Sequence, residues 1–270
     1  MNVAVLKGGS SLERGVSLRS GARVEEALRG GGHQVISLDA EAGLTARLKE
    51  ERPDVVFIAL HGPGGEDGTI QELLEILGLP YVGPGVAACI RCMDKVIAKH
   101  EMRSAGVPTP DWVAFTSEAF SGLGAADAFD EIEAKLGLPV VVKPAAQGSS
   151  LGVKVVTKRE EVPEALISAL SYGDRVLIER YVRGRELAVS VIDGEPLPTV
   201  EAVPKGGEFF DFEARYEIGR TEYLCPAELT EAENRAVRET ALRTWDVLGV
   251  EGYARVDLIL AANEDAVEPD

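Results

Sequence analysis

One stretch of this 270-residue chain combines a cation, hydroxyls and glycines in an order that suits a polyanion. Val140-Val141-Val142-Lys143-Pro144-Ala145-Ala146-Gln147-Gly148-Ser149-Ser150-Leu151-Gly152-Val153 reads as a strand, a small-residue loop and a returning strand. Such a loop can fold backbone N–H groups and two hydroxyls over phosphates while Lys143 supplies a point charge at its base. The same residues also describe a plain glycine-rich hairpin with a solvated lysine. A second constellation, Val176-Leu177-Ile178-Glu179-Arg180-Tyr181-Val182-Arg183-Gly184-Arg185-Glu186, ends an apolar strand on a carboxylate that could accept from an amine or from ribose hydroxyls, or simply be a solvated strand end. A third, Arg255-Val256-Asp257, puts two charges on one face of a strand because the side-chain period is two. On an inner face they must pair with each other, with a metal or with a substrate.

The elements around these residues alternate in the first half. A strand at 3–6 ends in Gly8-Gly9-Ser10-Ser11. A helix over 17–29 follows and closes on Gly30-Gly31-Gly32, then come a strand at 35–38, a helix over 41–51 and a buried strand at 54–60. That strand runs into His61-Gly62-Pro63-Gly64-Gly65-Glu66-Asp67-Gly68, before a helix over 69–77 and a short strand at 81–82. Strands spaced by helices imply right-handed crossovers and a parallel sheet, with the glycine-rich segments at its carboxyl edge. From about residue 86 the rhythm changes and a second unit begins. It reads as a helix over 93–104, a strand at 112–115, a helix over 127–136, strands at 140–143 and 153–156, a helix over 160–170 and a strand at 176–179. Residues 186–192 and 197–203 form a hairpin across Asp193-Gly194. Residues 204–225 carry no clear periodicity, so they are functional or mobile. A helix over 230–248 has Thr230 as N-cap with Glu233 at the capping-box position, and a strand follows at 253–260.

Composition bounds the partners. Lys plus Arg number 28 against 45 Asp plus Glu, a net charge of −17 that repels a nucleic-acid backbone. The longest apolar run, 55–60, is strand-sized rather than membrane-spanning, and Met1-Asn2-Val3-Ala4-Val5-Leu6-Lys7-Gly8-Gly9 reads as a first strand rather than a signal peptide. The expectation is a cytoplasmic protein with no membrane partner. Cys89, Cys92 and Cys225 do not suggest a disulfide framework. The Cys89-x-x-Cys92 pair, a redox or metal motif elsewhere, sits beside Ala87-Ala88 and reads better as packing within a helix. Neither G-x-x-x-x-G-K-[ST] nor a strand-to-helix G-x-G-x-x-G occurs.

Six motifs in order make the pattern specific. Gly8-Gly9-Ser10-Ser11-Leu12-Glu13-Arg14-Gly15-Val16-Ser17-Leu18, the His61–Gly68 segment, Met93-Asp94-Lys95, and Val142-Lys143-Pro144 with Gly148-Ser149-Ser150-Leu151-Gly152 come first. Phe210-Asp211-Phe212-Glu213-Ala214-Arg215-Tyr216 and Arg255-Val256-Asp257 complete the set. Together they resemble the D-alanine–D-alanine ligases of the ATP-grasp superfamily, along the whole chain. The resemblance implies an α/β fold of ATP-grasp architecture: an N-terminal parallel, Rossmann-like domain at 1–90, a small central lid domain at 91–178 and a shortened C-terminal α+β domain at 179–270.

In that family ATP phosphorylates the carboxylate of one D-alanine, and the amine of a second attacks the acylphosphate to give the dipeptide used in peptidoglycan precursors. The resemblance implies that Lys95 and Lys143 contact the ATP phosphates, Glu179 the adenine amine, the Val182 backbone the ring edge and Glu186 the ribose. Ser149 and Ser150 would lie in the loop over the phosphates, and Arg215 would reach the terminal phosphate from an omega-shaped lid that excludes water. Glu13 would bind the ammonium of the first D-alanine, and a hydrogen-bonded set of Glu13, Ser149 and Tyr216 would hold the site closed, with Tyr216 favouring D-alanine as second substrate. His61 would lie beside the second subsite, or be a turn residue satisfied by the surrounding backbone. Arg255 would stabilise the carboxylate and the tetrahedral intermediate, and Asp257 would ligate Mg²⁺ (or Mn²⁺). The family also implies a homodimer.

After Asp257 the family pattern continues to a Glu-x-Asn metal motif, whereas this chain runs Ala261-Ala262-Asn263-Glu264-Asp265-Ala266-Val267-Glu268-Pro269-Asp270 without one. The expectation is therefore a ligase of this family whose activity in this chain is weak or absent. The alternatives are a truncated nucleotide-binding homologue and an ATP-grasp carboxylate–amine ligase of other specificity.

Overall fold

Val3, Ala4, Val5 and Leu6 are buried in succession, a strand apolar on both faces that only a sheet covered on both sides can accommodate. In the computed structural model, which describes residues 1–122, 129–205 and 221–262, this strand is β1 (Asn2–Lys7). It lies in a four-stranded parallel sheet ordered β2-β1-β3-β4, with β2 Gln34–Asp39, β3 Val55–Ile58 and β4 Tyr81–Val82. Leu48 of α2 (Leu44–Glu51) and Leu74 of α3 (Thr69–Leu77) join Ala4, Leu6 and Val56 in the core on one face. On the other face lies α1 (Arg14–Gly30), which starts three residues before the expected helix because the Glu13 carbonyl already accepts the Val16 and Ser17 N–H groups. Gly21 of α1 lets the Lys7 stem pass: a Cβ there would meet Lys7 Cβ at 2.7 Å. This unit comprises Met1–Met93 and Gly249–Ala254.

The helix expected over 93–104 is found as α5 (Lys95–Ser104), and a further helix, α4 (Val86–Met93), precedes it. Asp94 separates them. Its extended backbone breaks the first helix and its carboxylate accepts from the N–H groups of Val96 and Ile97, capping the second. Cys89 is buried in α4, its thiol donating to the Pro84 carbonyl at 3.5 Å, and burial pushes that thiol up to about 11. That is the environment of a packing cysteine rather than a thiolate.

The second unit comprises Asp94–Leu248 and the chain from Arg255 on. It holds two antiparallel sheets. The first is ordered β5-β8-β6-β7, with β5 Trp112–Thr116, β6 Val140–Pro144, β7 Lys154–Val156 and β8 Arg175–Arg180. Its helices are α6 (Ser117–Gly122), α7 (Phe129–Leu136) and α8 (Val162–Leu170). Leu136 and Leu166 pack with Val142, Val156, Val176 and Ile178 on one face, while Val96 of α5 packs with Trp112, Ala145 and Leu177 on the other.

The second sheet pairs β9 (Gly184–Ile192) with β10 (Glu195–Pro196), β11 (Val200–Pro204) and β13 (Tyr253–Ala261), and β11 with β12 (Thr221–Leu224). The expected hairpin turns at Asp193-Gly194, both at positive φ as a tight turn of this hand requires. Its register shifts by one residue between Pro196↔Val191 and Val200↔Ala188, a bulge in a stretch where Pro198 has no N–H to pair. β12 is an edge strand inside the stretch without periodicity. The last helix, α9 (Glu231–Leu248), carries the expected capping box: the Thr230 hydroxyl accepts the Glu233 N–H while the Glu233 carboxylate accepts the Thr230 N–H. Arg243 of α9 donates to the Ala105 and Gly106 carbonyls at the end of α5. No helix among the described residues is long and apolar enough to cross a membrane.

At Gly184 β9 passes close to β13, and a Cβ there would lie 2.3 Å from the Leu260 carbonyl oxygen. Gly184→Ala therefore forces β9 and β13 apart and should lower unfolding free energy by about 1–3 kcal/mol in urea melts. Gly30→Ala, at a helix end with nothing within 4 Å of the added methyl, should leave it unchanged or raise it by up to about 1 kcal/mol.

Candidate nucleotide and substrate site

The antiparallel pairing of β6 and β8 sets Val141 opposite Glu179 and Lys143 opposite Leu177. Lys143 and Glu179 are therefore diagonal neighbours on one face, and the Lys143 ammonium donates to Glu179 Oε1. On α5, Lys99 lies one turn beyond Lys95, and its Nζ donates to Glu179 Oε2 at 2.9 Å and to Thr109 Oγ1 at 2.7 Å. The same ammonium sits 5.0 Å from the centre of the Trp112 ring, with the Arg103 guanidinium over that ring at 4.0 Å. Lys99 is 4% and Glu179 9% exposed, so neither charge is tolerable without the other. Burial alone pushes the Glu179 carboxyl up, but Lys143 and Lys99 outweigh it and hold it below its ordinary range. Burial pulls Lys99 down to about 8, against the opposing pull of Glu179.

The loop after β6 is tied to the same helix. The Lys95 N–H donates to the Ala145 carbonyl at 2.9 Å, and the Lys95 ammonium donates to the Gln147 carbonyl. Gln147 Nε2 reaches the Tyr172 carbonyl at 3.3 Å, and the Tyr172 ring lies against Gly152, where a Cβ would be 2.6 Å from Cδ2. Within this frame Ser149 and Ser150 both adopt left-handed backbone, at φ 52° and 58°. Two successive non-glycine residues there are sterically costly, a condition that collects where loops hold ligands. At the end of β8, Val182 is buried, and Glu186 stands half-buried on β9 opposite Ala202.

Arg255 and Asp257 share a face of β13 as their spacing requires. Their side chains are 58% and 50% exposed and pair with each other in a fork, Nε to Oδ1 at 2.7 Å and Nη2 to Oδ2 at 3.0 Å. The inner-face placement is thus corrected: both side chains are exposed, and they pair with each other.

In the first unit, Glu13 is buried at the start of α1, and its carboxylate touches Gly62 closely enough that a Cβ there would meet Oε2 at 2.4 Å. The Ser11 hydroxyl links the two segments, accepting the Glu13 N–H at 3.1 Å and donating to the His61 carbonyl at 2.7 Å. His61 is held on both ring nitrogens, Nε2 at 3.0 Å from Ser20 Oγ and Nδ1 at 3.6 Å from Glu66 Oε1. Glu66 Oε2 accepts the Gly62 N–H at 2.6 Å, and buried Gln71 donates to the Gly65 carbonyl at 2.9 Å. Ser17, fully buried, accepts the Gly8 N–H and donates to the Ala59 carbonyl, fastening both glycine-rich turns to the sheet edge.

The structure thus brings Lys143 and Glu179 into contact, sets Lys95 against the 145–152 loop, and joins Glu13 to the His61 segment. Glu13 and His61 belong to the first unit, the other described candidates to the second. Arg215 and Tyr216 lie outside the described residues. Lys99 and Ser20 escape motif reading; their signal is a polar side chain on the inward face of an amphipathic helix.

Two family models match the chain, "D-ala D-ala ligase N-terminus" over residues 37–84 and "D-ala D-ala ligase C-terminus" over residues 102–267. The D-alanine–D-alanine ligase of Anaeromyxobacter sp. (strain K) is 45% identical over 261 residues, covering 97% of this chain and 82% of that protein. The chain belongs to the D-alanine–D-alanine ligase family. The crystal structure of the D-alanine–D-alanine ligase from Bacillus anthracis matches with a TM-score of 0.82 at 35% identity over 96% of this chain and 83% of that one. The same enzyme complexed with ATP matches at 0.79 and 32%, over 96% and 82%.

For a D-alanine–D-alanine ligase the residues present fit a nucleotide. The second unit offers an ionised buried carboxylate, two lysines and a strained serine loop. The donor set for a metal ion is thinner. Asp257 offers a hard oxygen donor, but among the described residues no cluster of three His, Cys, Asp or Glu side chains forms.

Glu179 titrates under the influence of two neighbouring ammonium groups. Its carboxyl is held below the ordinary value of 4.5, so its contribution to stability is present above that pH and lost as pH falls through the lower folded value. Between pH 6 and 3 the urea stability of the wild type should fall more steeply than that of Glu179→Gln, with the two curves converging at the acid end.

Proposed function

We propose that this protein joins two D-alanine molecules at the expense of ATP. The carboxylate of the first attacks the terminal phosphoryl group and releases ADP. The amine of the second then displaces phosphate from the acylphosphate, leaving D-alanyl-D-alanine for peptidoglycan precursors. The observation that carries the reading is the Lys143–Glu179 ion pair, with Lys95 bound to the loop after β6, in a chain that is 45% identical to a D-alanine–D-alanine ligase over 97% of its length.

Each role follows donor and acceptor chemistry. Glu179, ionised by its lysines, accepts from the adenine amine. The Val182 backbone meets the ring edge, and Glu186 accepts from the ribose. Lys95 and Lys143 neutralise phosphate charge, and Ser149 and Ser150 donate from the loop above it. Glu13 holds the first ammonium, and His61, fixed by Ser20 and Glu66, lines the second subsite. Arg255 stabilises the carboxylate and the tetrahedral oxyanion, with Asp257 holding Mg²⁺ or Mn²⁺, an ion that would neutralise phosphoryl charge. Arg215 and Tyr216 extend the site from the lid, Tyr216 favouring D-alanine. The sheet around β6 and the sheet around β9 serve as the central and C-terminal halves of the nucleotide module in a three-domain chain, 1–90, 91–178 and 179–270. We place the enzyme in the cytoplasm as a homodimer.

ADP release with ATP, Mg²⁺ and D-alanine, together with mass-spectrometric detection of the dipeptide, tests this. Both products should form in equal amounts. Lys143→Ala should lower kcat/KM for ATP by on the order of 10²-fold through loss of a charge-assisted contact. ADP release that does not require D-alanine, or no dipeptide, would overturn the assignment.

A further inference from the structure

Lys99 belongs to none of the motifs, yet it is the most buried cation of the cluster, and the cluster carries one positive charge in excess. Glu179 has an ammonium on each oxygen, Lys143 on Oε1 and Lys99 on Oε2. The two lysines are not equivalent. The Lys99 side chain is 5% exposed, lies over the Trp112 ring and divides its donors between Glu179 and Thr109. The Lys143 side chain is 19% exposed and pairs with Glu179. Oε1 is thus covered by the lysine assigned to the phosphates, and it is the oxygen an adenine amine has to reach. A polyphosphate draws away the more exposed ammonium, because its own charge exceeds that of one carboxylate. What stays behind is Glu179 with Lys99, a neutral pair inside the protein.

We propose that Lys99 is a positioning residue for nucleotide recognition, keeping Glu179 ionised and aimed by its Oε2 while Lys143 passes from Oε1 to the phosphates and leaves Oε1 to the adenine amine. The proposal rests on the reading of Glu179 as the adenine acceptor. Without Lys99, Lys143 is retained on Glu179 as the carboxylate's counter-charge. The nucleotide then loses a phosphate contact and the amine loses its acceptor together. With Lys99 present, one lysine can be spared.

Equilibrium titration of the full chain with ADP and with IDP, which carries a carbonyl oxygen where ADP has the amine, separates the cases without requiring turnover. The wild type should bind ADP more tightly than IDP by about tenfold, the scale of a hydrogen bond to a charged group. Lys99→Met should lose most of that preference and bind ADP about tenfold more weakly, and Lys99→Arg, which restores the charge, should recover part of both. In turnover, Lys99→Met should raise KM for ATP about tenfold while KM for D-alanine stays within about twofold. Lys99→Met/Glu179→Gln should be no weaker toward ADP than Glu179→Gln alone, since Lys99 acts through Glu179, and this comparison decides the matter should Lys99→Met not fold. A folded Lys99→Met chain that keeps the wild-type preference, or losses that add in the double variant, overturns the proposal alone. A wild type that binds ADP and IDP equally overturns the adenine reading of Glu179, and the proposal with it.

Discussion

A carboxylate nine-tenths buried in an acidic protein is the constraint around which the second unit is built. Taking Glu179 out of water is repaid only by charges held at hydrogen-bond distance, and the chain supplies them from two elements, Lys143 from a neighbouring strand and Lys99 from the helix across the sheet. The interaction therefore fixes α5 against β6 and β8 in direction as well as in distance. Once α5 is fixed, Lys95 one turn earlier can only face the loop after β6, and that loop's carbonyls at Ala145 and Gln147 close on it. Asp94 completes the arrangement: its carboxylate caps α5 and accepts from Arg175 at 3.1 Å, tying the helix start to the beginning of β8. The geometry of the loop after β6 is thus inherited from a buried ion cluster as well as from the loop's own sequence.

The first unit reaches a comparable end by other means. Its carboxylate, Glu13, is positioned by backbone: the glycine at 62 has no side chain to collide with it, and the Ser11 and Ser17 hydroxyls connect the turns after β1 and β3. His61 has Ser20 Oγ 3.0 Å from Nε2 and Glu66 Oε1 3.6 Å from Nδ1, neighbours that orient the ring. Glycine appears where a side chain would strike the carboxylate, and serine where two loops must be joined without bulk. This is why the conspicuous motifs of the sequence are rich in these two residues.

The parallel half was legible because each strand is a short apolar run followed by a glycine turn, so period and punctuation agree. The helix over 69–77 and the strand at 81–82 stand where the sequence puts them. Boundaries shift where a side chain overrides the periodic signal, as at Asp94, whose capping starts α5 two residues after the expected Met93. The bulge beside Pro198 is invisible in the pattern because alternation continues on either side of it. Lys143 and Glu179 were visible as candidates, since each ends an apolar strand. Their direct contact depends on an antiparallel register 36 residues apart, which no local pattern encodes. Lys99 was lost among the surface charges of an amphipathic helix; only the packing of Val96 and Trp112 reveals that its side of the helix faces inward. Arg255 and Asp257 show the converse, an alternation that predicts a shared face correctly but cannot say which face is open.

The same cluster explains how a chain of net charge −17 can be built to hold a polyanion. At physiological salt the field of distant surface carboxylates decays over about 8 Å, so the acidic exterior acts mainly on approach. Inside the site the comparison is local: Lys99 and Lys143 flank a single carboxylate, and Lys95, one turn from Lys99 on the same helix, stands against the loop after β6. Because two of these cations already neutralise Glu179, they can be assembled before any nucleotide arrives, without the repulsion that a bare cluster of lysines would carry in a medium of low polarity. Beyond the base contact proposed for it, Glu179 has a second role. It is the counter-charge that allows cations to be stored at the site, and the excess charge it leaves uncompensated is the one available to phosphate.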